Sequence, residues 1–314
     1  MFSSFPIQNM LYYKKEGTIM KVLELNRMND ALFKAVFTNT PGIALSFINA
    51  VLNHQGTPTL RELAFIDREL DPVEETGKAS RLDLVGKDAI TGTKANLEIQ
   101  VVKQEWFSQR ALYYWARLYN DLKKGDIYHA LTRTVTINIL DFVLFDNTEE
   151  SSHWHSCFGI YDKATDKQLT TDFEMHFIEL PKWRIEKDVA HMDPLERWTS
   201  YFDRKTTAKE LEAIAMQEPM IREALSAECI FTQDEINRRA YDLKEKADRD
   251  YRGQMLYATK QGIQQGIQQG TEQGRTQMKR LVQCLISEGK SADIPIILAD
   301  DDLVEQLLSK YNIK

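Results

Sequence analysis

Asp83 and Glu98 stand on either side of a Gly-containing turn in RLDLVGKDAITGTKANLEIQ, residues 81–100, each in a stretch where apolar and polar residues alternate. Period-two alternation puts Leu82 and Leu84 on one strand face and Asp83 on the other. It likewise sets Leu97, Ile99 and Val101 against Asn96, Glu98 and Gln100. A carboxylate among apolar strand neighbours is costly unless a cation, a proton or hydrogen-bond donors compensate it. Two such acids facing one another, with Gln100 on the face of Glu98, make an oxygen-rich cluster suited to Mg²⁺ or Mn²⁺. An ion held there can polarise a phosphate, lower the pKa of an attacking water and stabilise the leaving oxygen, which is phosphodiester hydrolysis. The spacing by itself recurs by chance, and acids on solvent-facing strand positions would give the same pattern.

Other residues have chemistry-bearing spacings of their own. Asp30 and Lys34, in D-x-x-F-K, lie four apart on one helical face, as a surface ion pair or as part of a site. Arg110, Tyr114 and Arg117 share a helix side at i, i+4 and i+7. They either contact phosphate or are split between a tyrosine core, with Tyr113, and solvated arginines. Residues 103–133 hold six Lys/Arg against three Asp/Glu, a local basic excess in a chain of net charge −7. His153, His155 and Cys157 alternate in SHWHSC, but with no second ligand pair nearby in sequence a polar loop competes with zinc. No nucleophile elbow, Walker A loop or dinucleotide fingerprint is present.

The elements that must position these residues follow from periodicity. Residues 1–19 lack a clear period and read as a disordered leader. Residues 27–52 predict two helices broken near Pro41-Gly42, with Asn29 or Asp30 at the first N-terminus. A strand over 60–70 precedes the hairpin, and an amphipathic helix over 104–124 follows it. That helix offers Trp106, Leu112, Trp115, Leu118, Tyr119 and Leu122 for packing and ends at Gly125. The nearly continuous apolar run at 134–145 predicts a central strand, and 172–180 a further one before Pro181. From about 191 to 260 the pattern is helical. Within residues 261–275, the QGIQQGIQQGTEQG tract repeats glycine every four residues, as a linker or as a weak helix needing a partner. A helical pair over 276–314 closes the chain.

With 314 residues, 43% hydrophobic and 28% charged, the chain can bury a full core with room for about two domains. No apolar run approaches the roughly 18 residues of a membrane span, and the opening residues do not form a secretory signal. Cys157, Cys229 and Cys284, odd in number and far apart, fit a reducing compartment, so a cytoplasmic location is expected.

Taken together, NDALFKAVF (29–37), K-x-S-R-L-D-L (78–84), NLEIQ (96–100), R-x-x-Y-Y (110–114), GDIYHAL (125–131), FIELPKW (177–183) and the glycine-repeat tail resemble the recombination-promoting nuclease (Rpn) family, also described as PD-(D/E)XK nuclease family transposases. The resemblance covers most of residues 25–275. It implies an α/β fold, a restriction-endonuclease-like mixed sheet flanked by helices, over residues 20–190, followed by a helical C-terminal region. It also implies Mg²⁺-dependent cutting of DNA that promotes recombination or transposition-related processes. Asp83 carries over as the first metal-binding acid, Glu98 as the second, and Asp30 as an additional one. Gln100 stands where the family pattern has lysine. Glutamine can orient a water but supplies neither positive charge nor a proton acceptor near neutral pH. Lys34, Lys78 and Lys103 are the candidates for supplying that charge. A homodimer would offer one active site per DNA strand. The alternative is a catalytically weakened DNA-binding or protein-interaction module on a nuclease-like core.

Overall fold

A computed structural model of the chain describes residues 11–15, 18–54, 59–66, 69–70, 80–81, 83–120, 122, 125–145 and 153–313. Strands β1 (Leu11–Lys15) and β2 (Thr18–Val22) form an antiparallel hairpin, so part of the expected disordered leader is structured. Aromatic and β-branched residues on both sides of Gly17 account for the departure. Helix α1 (Asp30–Asn39) starts at Asn29, whose side-chain oxygen accepts from the backbone of Ala31 and Leu32. Its apolar stripe, Leu32, Phe33, Val36 and Phe37, is buried, and α2 (Pro41–His54) follows after a break at Thr40.

The predicted strand at 60–70 consists of the short β3 (Leu63–Phe65) and β4 (Glu69–Leu70), the latter pairing with β5 (Ser80–Arg81) in a separate small sheet. The hairpin is β6 (Leu84–Asp88) and β7 (Lys94–Gln100). β6 begins one residue after Asp83, so the first acid stands at the end of the ladder, a correction to the alternation reading; Leu82 lies outside the described residues. Gly92 has φ +73° in the connecting turn, a conformation in which a side chain would be strained. Helix α3 (Phe107–Tyr119) is shorter than predicted at both ends. Its buried side is Phe107, Ala111 and Leu118, whereas Trp106 and Leu112, expected to pack, are exposed.

β8 (Thr134–Leu140) is buried at every position, ending before the predicted 145, and β9 (His155–Tyr161) and β10 (Gln168–Glu179) complete a six-stranded sheet. Its order is β3-β6-β7-β8-β10-β9, with β7–β8 and β8–β10 parallel and the other pairs antiparallel. β8 is covered on both faces although its residues alternate, Val135, Ile137 and Ile139 lying in the main core and Thr134, Thr136 and Asn138 buried on the other face. Leu97, Ile137 and Ile178 join α1 and α2 in the main core, together with α4 (Pro194–Phe202), α5 (Ala208–Gln217) and α6 (Pro219–Gln233). Capping boxes at Asp193/Glu196 and Thr207/Glu210 start α4 and α5. The opposite face packs Phe107 and Ala111 of α3 on Leu140, Phe173, Met175 and Phe177.

Helix α7 (Glu235–Ser287) includes the whole Gly/Gln tract, so residues 261–275 are helical in place of a linker. Two compact units divide the chain, Met1–Asp248 and Arg249–Lys314. In the second unit Leu281 and Leu285 pack with Ile297 of α8 (Ile294–Ile297) and Val304 of α9 (Asp301–Lys310). No single helix among the described residues is long and apolar enough to cross a membrane.

A candidate metal centre of buried carboxylates

The sheet register decides where the acids fall. Glu98 lies opposite Asn138, and Asn138 opposite Phe177, so these three share one row on the sheet face covered by α3. The β6–β7 ladder ends at the Leu84–Leu97 pair, and beyond it side chains take over from backbone. The Asp83 backbone N–H donates to Glu98 Oε1 (3.2 Å), and the backbone N–H of Ile99 donates to Asp83 Oδ2 (3.1 Å). Asn96, two residues back on the same face, donates to the same Glu98 oxygen at 3.3 Å.

Lys34 on α1 spans the remaining acids, with Nζ 2.6 Å from Asp30 and 3.3 Å from Asp83. Of the three lysines read as auxiliary, Lys34 touches the acids and Lys103 is exposed outside the cavity lining, while Lys78 lies outside the described residues. Gln100 uses both ends of its amide. Its Nε2 donates to the Val102 carbonyl (3.0 Å) and its Oε1 accepts from Arg110 Nη2 (2.7 Å). Arg110 also donates to Gln104 (2.5 Å) and lies over the Phe107 ring, 4.9 Å from its centroid. Position 100 thus carries an amide bonded to a guanidinium from the next helix.

Asp30, Asp83, Glu98, Gln100, Arg110 and Tyr114 line a cavity of about 250 Å³. Arg117 lies outside that lining; its guanidinium donates to the Tyr113 hydroxyl at 3.1 Å. Sequence reasoning missed the first turns of α7, which supply Lys244 and Asp248 to the lining, 3.2 Å apart. Tyr241 and Glu245 fasten those turns, the Tyr241 hydroxyl accepting from the Asn26 backbone (2.9 Å) and Glu245 accepting from the side chains of Asn26 (2.5 Å) and Asn29 (3.0 Å). In DLKEKADRD these residues look like an ordinary solvated helix, and no local pattern separates them from it.

Burial raises Glu98, and the neighbouring Asp83 carboxylate adds to it, so Glu98 is pushed up to about 8. Burial also raises Asp83, against the opposing charge of Lys34 and with the added repulsion of Asp30. Tyr114 is raised by burial, Arg110 opposing. Two acids that resist ionising together, held at fixed separation by backbone hydrogen bonds, form a site a divalent cation would relieve. The donors are hard oxygens, which suits a hard ion.

A family model described as PD-(D/E)XK nuclease family transposase matches residues 27–258, the span that carries the sheet, α3 and the first turns of α7. Nucleases of this kind generally use divalent metals. No curated protein and no solved structure gave a match. With its mixed six-stranded sheet and flanking helices, the chain belongs to the PD-(D/E)XK nuclease family transposases.

Proposed function

We propose that the protein is a metal-dependent DNA endonuclease that hydrolyses phosphodiester bonds and promotes recombination or transposition-related processes. The observation that carries this reading is the reciprocal hydrogen bonding of half-buried Asp83 and buried Glu98, whose carboxyls burial and mutual repulsion push up. Asp83 and Glu98, with Asp30 beside them, would hold Mg²⁺ or Mn²⁺. When bound, the ion supplies Lewis acidity at a phosphate oxygen and a lowered pKa for water. Lys34 keeps Asp30 and Asp83 at hydrogen-bond distance and offsets their charge. Arg110, fixed by Gln100 and Gln104, offers a forked cation suited to a phosphate, and Tyr114 lines the same cavity. Gln100 acts through Arg110, as the residue that orients it. Arg117 and the basic residues of 103–133 extend backbone contacts along DNA. The proposal includes a cytoplasmic location and a homodimer that cuts both strands.

One observation favours a second reading. The Gln100 amide bonds at both ends, to Val102 and to Arg110, and supplies neither a positive charge nor a proton acceptor, which suits a weakened DNA-binding or protein-interaction module. Supercoiled plasmid incubated with protein and Mg²⁺, with EDTA, and with Asp83→Ala decides between them. Nicking that requires the metal and is lost in the variant supports the endonuclease; binding without nicking in any divalent metal supports the module.

A further inference from the structure

A second cluster of ligating side chains lies on the other side of the sheet. Cys157 on β9 pairs directly with His176 on β10, and Glu174, two residues before His176, shares its face. Phe177 occupies the row of Glu98 and Asn138, so its neighbour His176 points to the opposite face from Glu98. The ligating atoms of Cys157, Glu174 and His176 all lie within 4.8 Å of one another. His176 Nε2 is 2.8 Å from Glu174 Oε1 and 4.0 Å from Cys157 Sγ. Ligand atoms around a tetrahedral zinc are about 3.5 Å apart, so small side-chain shifts bring these three to bonding positions.

The surroundings are those of a metal ligand set. His155 Nε2 is 3.0 Å from His176 Nδ1, with the rings stacked at 15°. A metal would take the place of the proton that His176 Nε2 now shares with Glu174, and His176 would then carry its proton on Nδ1 and donate it to His155, as metal-bound histidines donate their other ring N–H. Arg133 holds the other oxygen of Glu174 at 2.5 Å. His176 and Glu174 are buried and Cys157 is exposed, so a fourth position opens to solvent. A thiol, an imidazole and one carboxylate favour zinc over the hard ions suited to Asp83 and Glu98.

We infer that Cys157, Glu174 and His176 form a zinc site separate from the carboxylate cluster, one that fastens the edge strand β9 to β10. Its sole chemical step is replacement of the Cys157 S–H bond by a sulfur–metal bond, the proton leaving to solvent. The inference is independent of nuclease activity.

The test is Co²⁺ titration of the chelator-treated full chain. The expected result is one thiolate-to-cobalt charge-transfer band per chain, displaced by zinc, abolished in Cys157→Ser and retained in Asp83→Ala. His176→Gln should weaken binding at least tenfold, and His155→Phe by about tenfold. A wild-type protein without the band, or a Cys157→Ser protein that keeps it through Cys229 or Cys284, overturns the inference. Should a variant not fold, alkylation of the wild-type protein decides. Zinc should slow labelling of Cys157 at least tenfold and leave Cys229 and Cys284 unchanged, and equal labelling of Cys157 with and without zinc overturns the site.

Discussion

Asp83 and Glu98 are tied to each other twice, the Asp83 N–H donating to the Glu98 carboxylate and the Asp83 carboxylate accepting from the residue after Glu98. The separation of the two acids is therefore set by backbone, and neither can turn away without breaking a hydrogen bond. Repulsion between them is built into the fold.

Glu98→Gln should stabilise the metal-free protein at pH 8 to 9, on the order of 2 kcal/mol after allowing for relaxation of a buried carboxylate. The folded value of Glu98 is raised, from 4.5 to about 8, so the folded state retains the proton longer and wild-type stability falls as pH rises through that window. The advantage of the variant should thus shrink toward pH 5. Thermal melts in EDTA across pH measure it. Added Mn²⁺ should raise the melting temperature of the wild type and leave Glu98→Gln nearly unchanged.

Lys34→Met should reduce plasmid nicking about 100-fold while leaving the fold intact, since it removes the cation between Asp30 and Asp83. The optimum for nicking should move to higher pH, because Asp83 loses the charge that opposes its burial. Circular dichroism separates this outcome from unfolding.

Gln100→Lys should not raise the nicking rate by itself. A lysine there meets the Arg110 guanidinium, which now donates to the Gln100 oxygen at 2.7 Å, and like charges repel. Combining Gln100→Lys with Arg110→Gln should nick faster than either single variant, a coupling that a double-mutant cycle reads directly.

Asp88→Ala should cost about 2–4 kcal/mol at neutral pH. The Asp88 carboxylate accepts from the backbone of Arg61, Glu62 and Thr91 and from the Thr91 hydroxyl, at 2.6–2.9 Å. Burial would raise it, but these donors outweigh burial and pull it from 3.8 to about 2. A lowered carboxylate stabilises the fold above its ordinary value and loses that effect as pH falls toward 2. The gap between wild type and variant in urea melts should narrow over that interval.

Arg27 and Glu228 form a buried bidentate pair at 2.6 and 2.9 Å, with Arg27 over the Tyr201 ring. Glu228→Gln should destabilise by about 3–5 kcal/mol, leaving a buried guanidinium uncompensated. Arg27→Met with Glu228→Leu should cost much less, as denaturant midpoints will show.

Local pattern made much of this molecule legible. Alternation placed Glu98 and Gln100 on one face of β7, capping chemistry placed the start of α1 at Asn29 or Asp30, and the apolar run over 134–145 marked a strand inside the sheet. The family motifs pointed to the mixed sheet. What local pattern could not carry is pairing at a distance. His155 and Cys157 looked short of ligands because Glu174 and His176 arrive from another strand, joined by register. The packing side of α3 was misjudged because Trp106 and Leu112 are apolar yet face outward, while Ala111 contributes to the core. The wall supplied by Lys244 and Asp248 depends on contacts between Asn26, Asn29 and Glu245, which no spacing announces.

That wall has a consequence for synthesis. The hairpin bearing Asp83 and Glu98 is complete within the first third of the chain, whereas Tyr241 and Glu245, which bring α7 to Asn26 and Asn29, leave the ribosome much later. At roughly 5–20 residues per second the interval is on the order of ten seconds. During it the nascent protein carries its acid pair uncovered, and the amides of Asn26 and Asn29 wait for the carboxylate of Glu245. Completion of the centre is thus timed by translation of a segment that contributes nothing to the acid pair itself.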